Sequence, residues 1–177
     1  SHALEHMMFK GTKRYEKGEI DSITASRGGN NNAFTSNDYT AYYFTFASDR
    51  WWSALDIEAD RMGNNRFDPT EFELERQVII EEIKMDRDSP WETLGEAVGS
   101  HSFQKHPYRF PVIGTYEDLM SITRDQMIEH YRHFYCPNNA ILVLVGDFHT
   151  EEVLERVEQL FAPLPRGRVP EARTVSE

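Results

Sequence analysis

The sequence predicts an α+β fold, and three observations carry that expectation. Segments with apolar residues at helical spacing alternate with runs rich in aromatic and β-branched residues. Hydrophobic residues make up 39% of the 177 positions, enough for one domain with its own core. The 11 Phe, 8 Tyr and 3 Trp argue against a disordered chain. No internal repeat or low-complexity tract interrupts the pattern.

Residues 2–9 are predicted as a short helix, broken at Lys10-Gly11-Thr12. A second helix is expected over Glu19–Ser26, with Gly28-Gly29 where glycine follows a helix end. Asn30-Asn31-Asn32 has turn composition. Ala33–Thr35 and Tyr39–Ala47 then supply strand-forming residues, as two strands or one bulged strand. Ser48 or Asp49 can cap a helix from Trp51 to about Asn64, with Trp51, Leu55, Ala59 and Met62 at helical spacing. Asp68-Pro69 opens a helix to about Asp86, because proline is tolerated in a first turn. Ser89-Pro90 opens another through Val98. His106–Pro111 is irregular, and Thr123 caps a helix to about Tyr135. Ala140–Val145 (AILVLV) is predicted as a buried strand. A last helix covers Glu151–Phe161, and 166–177 has linker composition.

Charge narrows the partners. Lys and Arg total 19 against 30 Asp and Glu, a formal charge of −11, with no cationic cluster for phosphate contacts. A nucleic-acid partner is therefore not expected. The acidity serves ordinary solubility, or an acidic chamber that draws in basic peptides. The single cysteine, Cys136, excludes an internal disulfide and a cysteine-rich zinc site, and suits a small packing residue. No stretch approaches the roughly 20 apolar residues of a membrane span.

The chemistry-bearing residues come first in the chain. His2, Glu5 and His6 form H-x-x-E-H. On a helix, His2 and His6 lie about 40° apart, and Glu5 lies about 60° from His2 on the other side. Two imidazoles can thus share one zinc while a carboxylate sits beside it without binding. Taken alone, the pattern also fits two surface histidines on a terminal helix. A two-histidine catalytic site needs a third ligand, usually a carboxylate. The 69–86 helix offers Glu71, Glu73, Glu75, Glu81 and Glu82. Glu75 and Glu82, seven apart, share a face to within about 20°, whereas Glu81 points about 100° from Glu82. Val78, Ile79, Ile80 and Ile83 make this stretch apolar and are expected to bury it. A carboxylate there is costly unless paired or metal-bound, which favours Glu82 as the ligand. Glu71 and Glu73 fit a solvated face. His130-x-x-His133 lacks a carboxylate-bearing partner and is expected to face solvent.

Several blocks together resemble the pitrilysin or insulinase family of metallopeptidases, family M16, near its processing-peptidase-like members. They are HALEHMMFKGT at 2–12, NNAFTSNDYTAYYF at 31–44, LDIEADRM at 55–62, ERQVIIEEI at 75–83, HPYRFPVIG at 106–114 and YCPNNAILVLVGD at 135–147. The resemblance runs from residue 2 to about 165. It implies an M16-type half-domain over 1–165, a mixed sheet packed with helices, lacking the strands that precede the zinc helix in the family. The motif opens with one residue before it, so upstream sequence is expected to be missing. Residues 166–177 would begin a linker to a second half.

The resemblance implies one Zn²⁺ per chain held by His2, His6 and Glu82. Glu5 is the general base, and Glu75 is the acid that orients a ligand or assists the base. Asn32, Ala33, Phe34 and Thr35 would lie at a sheet edge and pair with extended substrate backbone, Phe34 lining a side-chain pocket or packing in the core. The expected activity is endopeptidase cleavage of extended peptides or unfolded polypeptides. The expected partner is a homologous second half or subunit, as a homo- or heterodimer. Rival readings are a non-catalytic assembly subunit of the same fold, an inactive fragment needing its partner half, and a purely structural zinc site. Compartment stays open among periplasm, cytoplasm and mitochondrial matrix, with the periplasm favoured.

Overall fold

Helices dominate, and the longest of them organises the rest. The computed structural model describes residues 1–171 and 174–177; positions 172 and 173 of the expected linker lie outside it. In order, the helices are α1 (His2–Met7), α2 (Glu19–Ser26), α3 (Trp52–Asn64), α4 (Pro69–Asp88), α5 (Pro90–Ser102), α6 (Tyr116–Ser121), α7 (Arg124–Phe134) and α8 (Thr150–Phe161). Strands β1 (Asn30–Thr35) and β2 (Thr40–Thr45) form an antiparallel hairpin between α2 and α3.

Local chemistry explains most boundaries. Asp68 caps α4 by accepting from the Thr70 and Glu71 amides, with Pro69 in the first turn. Thr123 and Gln126 form a reciprocal capping box at the start of α7. Thr115 caps α6, a helix the sequence pattern did not single out. Helix α5 runs four residues beyond the expected Val98.

One apolar face of α1 seats it. Leu4, Met7 and Met8 are buried with Phe67, Phe72, Met127 and Tyr131, joining α1 to the start of α4 and to α7. Asn65 donates from Nδ2 to the Met7 carbonyl at 3.0 Å, tying the chain before α4 to the end of α1. Phe67 turns the chain into α4 at φ +47°, a left-handed conformation costly for a bulky residue. Its buried ring packs edge-on against Tyr131 at 4.9 Å, which holds it there. A second cluster, Ile79, Ile80, Ile83 and Leu119, fixes α6 on α4. The position and direction of α4 relative to α1 are therefore set by packing on both sides of the site.

Three expectations need correction. Ala140–Val145 is neither a strand nor buried. It is extended without a ladder partner among the described residues, and Ile141 and Val145 are 92% and 93% exposed. Apolar composition records what a segment is suited to pack against, but a strand exists only against partner backbone. Asn30-Asn31-Asn32 is strand rather than turn, paired with Thr45, Phe44 and Tyr43. Cross-strand pairing overrides the weak strand preference of asparagine. Val78 is about half exposed, so only Ile79, Ile80 and Ile83 of the apolar run face inward.

Candidate metal centre

The centre is built where α1 crosses α4. One helical turn separates His2 from His6, so their rings lie side by side with centroids 4.7 Å apart. Helix α4 presents Glu82 across from both. His2 Nε2 lies 3.7 Å from Glu82 Oε1, and His6 Nε2 lies 3.5 Å from Glu82 Oε2. One donor atom from each residue falls within 4.8 Å of the other two, and this is the one such cluster among the described residues. Bonds of about 2.0–2.1 Å at tetrahedral angles put neighbouring donors about 3.3–3.4 Å apart. The two imidazole-to-carboxylate distances, each to a different Glu82 oxygen, stand near that spacing. His130 and His133, expected to face solvent, join no such cluster among the described residues.

The three donors differ in setting. Burial lowers the His2 pKa, with Glu82 opposing and His6 adding to the shift, so the ring is neutral at pH 7 as a metal ligand must be. Glu82 is half open to solvent, its side chain 41% exposed, unlike the buried carboxylate expected from its apolar neighbours. That leaves an accessible side where water can approach a bound cation.

Glu5 and Glu75 occupy distinct positions. Glu5 is buried, and its Oε2 accepts from Thr35 Oγ1 at 2.5 Å. Thr35 lies at the end of β1, and its hydroxyl also meets Thr40 Oγ1 at 3.0 Å on β2. Behind them, the Tyr42 and Tyr135 hydroxyls are 2.7 Å apart. Burial pushes both phenols up, keeping them protonated donors. Glu75 is also buried, and its Oε2 lies 3.1 Å from His6 Nδ1. A carboxylate only accepts, so the ring donates from Nδ1 and turns its Nε2 lone pair toward Glu82. Glu75 therefore pairs with His6, whereas Glu5 is held by Thr35.

The residues expected to touch substrate alternate along β1. Asn32 and Phe34 are exposed, while Ala33 and Thr35 are half-buried. Phe34 packs edge-on against Tyr39 at 5.7 Å and stays 45% exposed, so it is a surface aromatic rather than a core residue. Strand β1 pairs only with β2 among the described residues, so its other edge is free. Sequence reasoning missed the hydroxyl that Thr35 gives Glu5. It also missed Lys10, whose Nζ lies 2.6 Å from Glu75 Oε1. A signal for Lys10 was present: it stands four residues after His6 and eight after His2, on one helical face.

Two histidines and one carboxylate around an open position make the donor set that catalytic zinc hydrolases use, whereas structural zinc sites close the fourth position with protein. The chain belongs to peptidase family M16, the insulinase family, whose profile matches residues 1–116; a peptidase M16 inactive-domain profile matches 121–176. It is 34% identical over 161 residues to an uncharacterised zinc protease of Bacillus subtilis (strain 168), covering 91% of this chain and 39% of that protein. It is 34% identical over 165 residues to a zinc protease of Helicobacter pylori (strain ATCC 700392 / 26695), covering 93% and 37%. Among solved structures, a protease from Helicobacter pylori superposes with a TM-score of 0.89 at 32% identity, over 98% of this chain and 42% of that one. The chain thus spans about two fifths of the relatives it matches.

Proposed function

We propose that this chain carries the zinc centre of an endopeptidase that cuts extended peptides or unfolded polypeptides. The observation that supports this best is the gathering of His2, His6 and Glu82, with the two Nε2 atoms 3.7 and 3.5 Å from the carboxylate oxygens. Zinc held there would supply Lewis acidity, lowering the pKa of water toward 7 and polarising a carbonyl oxygen. Glu5 takes the proton from the attacking water and returns it to the leaving amine. Thr35 fixes one Glu5 oxygen, which leaves the other for the water. Glu75 orients His6.

Substrate lies along the free edge of β1, over Asn32, Ala33, Phe34 and Thr35. Main-chain hydrogen bonds there read an extended backbone rather than a sequence. Phe34 and Tyr39 offer an aromatic surface to one substrate side chain. Residues 1–165 act as the catalytic half, and 166–177 lead toward a homologous second half or partner subunit that completes the substrate chamber.

Thr35→Val is expected to lower kcat about tenfold or more, since a hydrogen bond to a charged group is worth about 1.5–3 kcal/mol. Zinc content should not change, and Thr35→Ser should retain activity. Steady-state kinetics with metal analysis check this. The reading as a whole is tested on the full-length protein by zinc stoichiometry and cleavage of an unstructured peptide. One zinc per chain is expected, with hydrolysis abolished by a chelator and restored by zinc. Hydrolysis that survives complete metal removal would overturn it.

A further inference from the structure

We infer that Lys10 is a positioning residue of the metal centre: it pins the Glu75 carboxylate so that His6 is held with its proton on Nδ1 and its Nε2 facing the cation. The inference rests on the metal-centre reading above and deepens it.

The geometry carries it in three steps. First, a metal-binding imidazole must donate its other ring N–H to an acceptor, or its orientation and tautomer are not fixed. For His6 that acceptor is Glu75 Oε2, at 3.1 Å. Among the described residues His2 has no counterpart, since its buried Nδ1 lacks a hydrogen-bond partner. Second, the terminal torsion of a glutamate is broad, so one contact alone leaves the carboxylate free to turn. Lys10 Nζ removes that freedom by gripping Oε1 at 2.6 Å, leaving Oε2 for His6. The contact is a close ion pair to a buried carboxylate, where opposite charges attract more strongly than in open water.

Third, Lys10 itself rises from anchored backbone. Its amide bonds the Met7 carbonyl at 3.1 Å, continuing the turn that ends α1. Gly11 follows at φ +106°, where a Cβ would stand 3.3 Å from the Tyr15 carbonyl oxygen. Thr12 is then fully buried, with its amide on Tyr15 at 2.8 Å and its hydroxyl on Asp60. The lysine thus projects from α1 toward α4 along the row that bears His2 and His6. If the ion pair only stabilised the fold, removing it would lower the melting temperature without touching the metal.

The test uses full-length protein carrying Lys10→Met, Lys10→Arg or Glu75→Gln. Zinc affinity is read by competition with a chromophoric chelator, and the His6 tautomer by ¹⁵N NMR of zinc-free, histidine-labelled protein above pH 8. Removing an outer partner of a ligand typically weakens metal binding about 10–100-fold. Lys10→Met is expected to weaken zinc binding within that range, to approach Glu75→Gln, and to lose the Nδ1–H preference of His6. Lys10→Arg should keep both. The double variant Lys10→Met/Glu75→Gln should bind zinc no worse than Glu75→Gln alone. Should Lys10→Met not fold, Lys10→Gln is read in the same two ways. Wild-type affinity and an unchanged His6 tautomer in the folded Lys10→Met or Lys10→Gln protein would overturn the role of Lys10 and leave the metal centre standing. A wild-type protein that binds no zinc would overturn the centre itself, while the tautomer still reports on the Lys10–Glu75–His6 chain.

Discussion

Glu5→Gln in the full-length protein is expected to keep one zinc per chain and to lose peptide hydrolysis by about 10²–10⁴-fold, the usual contribution of a positioned general base. The expectation follows from where Glu5 stands. It shares α1 with both histidines but is buried beneath them, held by Thr35 rather than aimed at Glu82. A glutamine of the same shape still accepts the Thr35 hydrogen bond, so the local structure should persist. It cannot take a proton from water, so the chemical step should fail while substrate binding does not. The effect should therefore appear in kcat, with KM little changed. A purely structural zinc site would give the opposite result, because Glu5 would then have no part in turnover.

Glu82→Gln should remove zinc more completely than any outer-shell substitution, weakening binding beyond the roughly 10–100-fold expected when a ligand loses its partner. Glu82 supplies the one anionic donor of the three, and it comes from a different helix than the histidines. Without it, two imidazoles one turn apart remain, which cannot close a three-donor site. The fold should be indifferent. The side chain is 41% exposed, and its ion-pair partners among the described residues are the two histidines, so stability of the zinc-free protein should change by less than about 0.5 kcal/mol. Isothermal titration with zinc, paired with thermal unfolding of the metal-free protein, separates these outcomes.

What the sequence made legible was local. H-x-x-E-H fixes the relation among His2, Glu5 and His6 because a helix sets their angles without help from the rest of the chain. The caps at Asp68 and Thr123 were visible for the same reason. Choosing Glu82 among five glutamates of one helix needed more, since only the crossing of α1 and α4 decides which of them meets the histidines. Burial pointed to the glutamate that stands beside both histidines, but on a partly wrong premise, for Glu82 is half open and Glu75 is the buried one. Ala140–Val145 failed differently. Its apolar run states a need for cover, yet pairing is a tertiary property that composition cannot supply. Lys10 was legible in spacing and overlooked because a lysine beside a metal motif is easily taken for a solvated end. The contact of Thr35 with Glu5 was not legible at all: the two stand thirty positions apart and meet only through the placement of β1 against α1.

The most direct measurement of the central claim is a crystal structure of the zinc-loaded full-length protein with anomalous data at the zinc edge. It should show one zinc bonded to His2 Nε2 and His6 Nε2 at about 2.0–2.1 Å and to a Glu82 oxygen at about 2.0–2.2 Å, with water in the fourth position and Glu5 unbound beside it. Zinc located elsewhere, or a fourth protein ligand closing the site, would contradict the account.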